Sequence, residues 1–199
     1  MSSPAEGSLR ALPPTAAWRH RDARDGFEAV FFVTGPPATR LLGHTVAVEH
    51  GLAWSVRYDI ALDLRGRTTG ARVWTLSADG ERSVSVDVST TGRWCVNGSA
   101  RPDLDGCVDV DLESSACTNM IPIRRMGLGV GEEAEAPAVY VRAPNLHVER
   151  LEQSYRRVGD ENLMRRYDYR APAFNFASDL LYDQSGLVLE YPGIATRVL

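Results

Sequence analysis

"ARVWTLSADGERSVSVDVSTTGRWCVNG", Ala71–Gly98, decides the fold class. Ser83, Ser85 and Asp87 alternate with Val84, Val86 and Val88, the period-two pattern of a strand with one buried face. Ala78-Asp79-Gly80 and Thr91-Gly92 are turn signals on either side, so the stretch reads as two or three short antiparallel strands.

The pattern extends outward. "FEAVFFV" (27–33) reads as a strand, followed by the turn-like "TGPPAT" and an alternating run broken at Gly51. "APAVYVRAP" is a strand bounded by Pro137 and Pro144. Farther on, a bend is expected at Gly159-Asp160 and a hairpin about Gln184-Ser185-Gly186. Short strands without a long helical period predict an all-β single domain, an antiparallel barrel or curved sheet. Residues 1–16, rich in Ala, Ser and Pro, read as a flexible lead-in to an antiparallel β domain over 17–199. Arg57-Tyr58-Asp59 and Arg166-Tyr167-Asp168 each precede a strand and a turn, an echo that a duplicated half-barrel would produce.

The 199 residues are 44% hydrophobic and 24% charged, enough for one core. A net charge of -4 gives no electrostatic reason to expect a nucleic-acid partner. All 22 basic residues are Arg. Three cysteines, Cys95, Cys107 and Cys117, are too few for a disulfide scaffold and form no CxxC pair. No signal peptide and no transmembrane segment is evident, so the expectation is a cytoplasmic protein with free thiols. HExxH, EF-hand, P-loop and Gly-x-Ser-x-Gly patterns are missing, so no metal, cofactor or catalytic residue is assigned. "GLGVG" (127–131) lacks dinucleotide-loop spacing.

The chemistry concentrates in "LDGCVDVDLESSACTNMIPIRRM", Leu104–Met126. On a strand, Asp109 and Asp111 share one face and Val108, Val110 and Leu112 the other. The two carboxylates suit a solvated face, an arginine pair, ligand contact, or an acid and base. Thr118 and Asn119 shape a turn. Beyond it a strand is expected, with Pro122 at an edge or bulge and Arg124 and Arg125 on opposite faces. An inward arginine needs a carboxylate or an anionic ligand. Glu28, an acid inside an apolar strand, needs a partner if it faces inward, and arginine is the natural one.

"GCVDVDLESSACTNMIPIRRM", with "GFEAVFF", "GRWCVNG" and "GLVLEYPG" in that order, resembles the signature of a bacterial family described as putative glycolipid-binding. The resemblance runs from about Trp18 to Pro192. It implies a long, strongly bent antiparallel sheet forming an incomplete barrel with a concave interior. Glu28, Trp94, Asn97, Asp109, Asp111, Asn119, Arg124, Arg125 and Tyr191 match the family pattern and are the candidate ligand-binding residues. Cys117 departs from it, standing where a bulkier apolar residue is expected. The implied function is non-enzymatic binding of a small amphiphilic molecule in the concave cavity. Its alternatives are a small-molecule hydrolase or isomerase using Asp and Glu with Arg, and an assembly module; a homodimer is compatible with each.

Overall fold

The computed structural model describes residues 9–36 and 38–199; most of the expected lead-in, residues 1–8, and one residue of the "TGPPAT" turn, residue 37, lie outside them. The chain runs through β1 (Thr15–His20), β2 (Asp25–Val33), β3 (Thr39–Glu49), β4 (Leu52–Leu62), β5 (Thr68–Ser77), β6 (Gly80–Val88), β7 (Trp94–Val96) and β8 (Ser99–Ala100). Then come β9 (Asp109–Leu112), α1 (Met120–Met126), β10 (Glu133–Glu135), β11 (Ala138–Val141) and β12 (Val148–Leu151). It closes with β13 (Ser154–Glu161), β14 (Met164–Ala171), β15 (Phe176–Tyr182), β16 (Val188–Tyr191) and β17 (Ala195–Arg197).

Two antiparallel meanders, β1 to β8 and β13 to β17, form one 14-stranded sheet, joined where β1 pairs with β17 (Trp18 opposite Arg197). β10 adds to β13 at one edge and β8 forms the other. Each strand buries alternate residues. Trp54, Val56, Tyr58, Ile60 and Leu62 of β4 face inward, as do Val84 and Val86 of β6. The Trp18 indole N–H donates to the Val188 carbonyl at 2.8 Å, tying the meanders together again.

The barrel expectation fails. The sheet ends at β8 and β10, which do not pair, and it is neither closed nor strongly curled. With no barrel to halve, the duplicated half-barrel lapses as well; Arg57-Tyr58-Asp59 and Arg166-Tyr167-Asp168 simply lie within β4 and β14, tyrosines inward. Alternation shows that a face is buried but not what covers it. Here the cover is a second layer inserted between the meanders, a three-stranded sheet ordered β12-β11-β9, plus α1. The fold is not wholly antiparallel either, because β9 runs parallel to β11.

This small sheet is buried on both faces. Val110, Leu112, Val139, Val141 and Val148 join the core that contains Trp18, Tyr58 and Trp94. Tyr140 and Leu151 join a second core with Tyr155, Tyr167, Tyr169 and Tyr182. The strand expected beyond Asn119 is instead α1. Pro122 falls in its first turn, where no intrahelical N–H is needed. Gly127, at φ 57°, caps its end by donating to the Ile123 carbonyl at 3.1 Å. Gly159 marks a register irregularity inside β13 rather than a bend, and the chain turns at Asn162-Leu163.

Candidate functional site

β9 aims Asp109 and Asp111 at the tyrosine-rich core. In register, Asp109 lies beside Ala138 and Asp111 beside Tyr140. Neither carboxylate belongs to a solvated face: both are buried. Their environments differ. Asp109 accepts a two-pronged bond from Arg125, Nε at 2.9 Å and Nη2 at 2.7 Å. Burial pushes its carboxyl up, and Arg125 pulls it back. Asp111 accepts from the Thr118 hydroxyl at 2.6 Å. Burial raises its carboxyl to about 7, the Thr118 and Leu112 donors oppose this, and the charges of Asp109 and Glu28 add to it.

Asp111 opens on a cavity of about 280 Å³ between the two layers. Tyr140, Tyr169, Phe174, Phe176 and Tyr191 line it. Their ring centroids stand 5.6 Å apart for Tyr140–Phe174, 6.1 Å for Tyr169–Phe176, 6.0 Å for Tyr169–Tyr191 and 5.9 Å for Phe176–Tyr191. Arg142 covers Tyr140 and Phe174, 5.3 and 4.9 Å from their centroids, and is held by Glu149 at 2.7 Å and Glu113 at 3.4 Å. Arg24, another lining residue, lies over Trp54 and 3.9 Å from Glu49. Asn119 accepts from the Tyr155 hydroxyl and Gln153 from the Tyr169 hydroxyl, both at 2.9 Å. Other hollows are larger, including one of about 360 Å³ at Phe31, Leu42 and Trp74. That one lies on the outward face of β2 to β5 and holds no buried carboxylate, so the Asp111 cavity is the better candidate.

Of the residues singled out in the sequence, the structure gathers Asp111, Asn119 and Tyr191 around this cavity, with Asp109 and Arg125 paired beside Asp111 on the same strand face. Glu28 faces inward but meets no arginine. It accepts from Tyr58 Oη at 2.6 Å, from the Ser115 hydroxyl, and from the Ala116 and Cys117 N–H groups at 2.8 and 3.3 Å. The Trp94 indole donates to the Cys107 carbonyl at 3.0 Å. Asn97 sits in the exposed β7–β8 turn at φ 50°, accepting from the Ser85 N–H. Arg124 binds the carbonyls of Arg10, at 3.0 Å, and Ser185. The sequence reading missed Tyr140, Tyr169, Phe174 and Phe176. Their signal was an aromatic at alternate positions, Tyr167 and Tyr169, then Phe174 and Phe176. Among the described residues no group of His, Cys, Asp and Glu is arranged to hold a metal ion, and no helix is long and apolar enough to cross a membrane. All three cysteines are free.

A family model described as "putative glycolipid-binding" matches residues 15–197. The chain belongs to that family. Ligand binding is accordingly its function class. The crystal structure of a DUF1089 family protein from Pseudomonas aeruginosa is similar, with a TM-score of 0.73 and 27% identity over 95% of each chain. No curated protein matches the chain.

Proposed function

We propose that the Asp111 cavity receives the head group of a glycolipid or similar amphiphile while its acyl chains stay outside. The observation that carries this reading is the set of five aromatic rings around a buried carboxylate. Ring faces pack on the C–H faces of a sugar, and the carboxylate accepts its hydroxyls. The volume, about 280 Å³, falls just under the roughly 300–1,000 Å³ of drug-sized sites, which suits a head group and leaves no room for long chains. The test is native mass spectrometry of the purified protein followed by lipid extraction. An amphiphile retained by the native chain and lost in Tyr191→Ala supports the proposal. Retention unchanged in that variant overturns it.

One observation favours the enzymatic alternative: Asp111 is raised to about 7 beside a cavity, the state a general acid or base needs. Asp109 is committed to Arg125, so the two aspartates do not act as a free pair. Chemical change of the extracted amphiphile on incubation with fresh protein would favour the enzyme.

A further inference from the structure

Three acidic residues line the cavity, Glu49, Asp111 and Glu113, and their charges do not balance in the same way. Arg24 faces Glu49 at 3.9 Å, and Arg142 faces Glu113 at 3.4 Å. Asp111 is left over: among the described residues no arginine pairs with it, and the charges acting most strongly on it are carboxylates. It is more than nine-tenths buried and lines the cavity. The rings divide likewise. Arg142 already lies over Tyr140 and Phe174, whereas no cation stands over Tyr169, Phe176 or Tyr191 among the described residues. These three rings lie within 6.1 Å of one another, centroid to centroid. A carboxylate without a counter-ion beside aromatic rings that carry no cation is the arrangement that recognises an alkylammonium group, through ring quadrupoles and one full negative charge.

We infer that the head group bound here is cationic, carrying a protonated amine or a quaternary ammonium that sits against Asp111 and the faces of Tyr169, Phe176 and Tyr191. This rests on the cavity being the head-group site, and it narrows the class of amphiphile. A cation arriving there favours ionised Asp111, so binding near neutral pH releases a proton to the buffer. The other titratable or charged groups around Asp111 are Asp109 with its partner Arg125, Glu28, Glu113, Arg142, Arg24, Glu49 and the tyrosines at 140, 155, 169, 182 and 191. Burial holds those five tyrosines above their ordinary range, so they stay neutral at that pH.

The experiment is isothermal titration of the full chain with octylamine, octyltrimethylammonium, octyl glucoside and octyl phosphate, each below its micelle concentration, in two buffers of different ionisation enthalpy. The expected result is that a cationic amphiphile binds at least about tenfold tighter than octyl glucoside, with proton release at pH 7. Asp111→Asn, which keeps an acceptor for Thr118, should erase both the preference for a cation and the proton release. Tighter binding of octylamine than of octyltrimethylammonium indicates an N–H-bearing head such as an amino sugar, and the reverse a quaternary head. Octyl glucoside or octyl phosphate binding as tightly as the cations in the native chain overturns the inference and leaves the head-group site standing. Binding of none of the four overturns the head-group site itself, and the inference with it.

Discussion

The segment Leu112–Asn119 has a buried carboxylate on each side, and the two regions are built differently. On the side of the larger core, Glu28 accepts from two hydroxyls and two backbone N–H groups. On the other side, Asp111 keeps one hydroxyl donor and the N–H of Leu112, and opens on a hollow lined by rings. Burial raises both carboxyls. The difference lies in the donors. A carboxylate surrounded by protein donors holds a loop, whereas one short of them is available to something that is not protein.

The largest effect is expected of Glu28→Ala. It strands the Tyr58 and Ser115 hydroxyls and two N–H groups, each costing about 1–3 kcal/mol, so urea unfolding should show a loss of roughly 4 kcal/mol or more. Gly43→Ala attacks the same region from the neighbouring strand, opposite Tyr58. A Cβ there would stand 1.9 Å from Cζ of Tyr58, displacing the ring that donates to Glu28. Overpacking of this kind should cost about 3 kcal/mol in the same assay.

The Asp111 side should respond with the opposite sign. Its carboxyl is raised from 3.8 to about 7, so between those values the folded protein holds a proton that the unfolded chain has released. Stability therefore falls as pH rises through that window and levels off above it. Asp111→Asn should flatten that slope and, at pH 8, stabilise the fold by on the order of 2 kcal/mol in paired denaturation curves. The smallest stability effect belongs to Tyr191→Leu. That ring is half-buried at the cavity, and its loss should cost about 1 kcal/mol while weakening head-group binding measured by titration.

Much of this was legible in the sequence because strands announce themselves locally. The period of two put Val84 and Val86 inward, paired Asp109 with Asp111, and placed the turns at Ala78-Asp79-Gly80 and Gln184-Ser185-Gly186. The covering layer was not legible, since alternation within one strand carries no information about its partner across the core. Helix α1 escaped because "MIPIRRM" is seven residues long, too short for a 3.6-residue period to emerge, and its isoleucines and proline suggest an edge strand. Asp111 could be found from its own strand. The rings around it come from β11, β14, β15, β16 and the turn before β15, so no single window of sequence contains the site.

The pairing of β1 with β17 also dictates a schedule. The chain is made from its amino end, and β1 precedes every other strand of the sheet, yet one of its two neighbours is β17. Once β8 is made, the first meander carries a strand edge along Thr15–His20 with nothing beside it, while about 95 residues before β17 are still to come. Nascent chains stalled before Ala195 should expose that edge, and a peptide of the β17 sequence supplied in solution is the natural candidate to cover it.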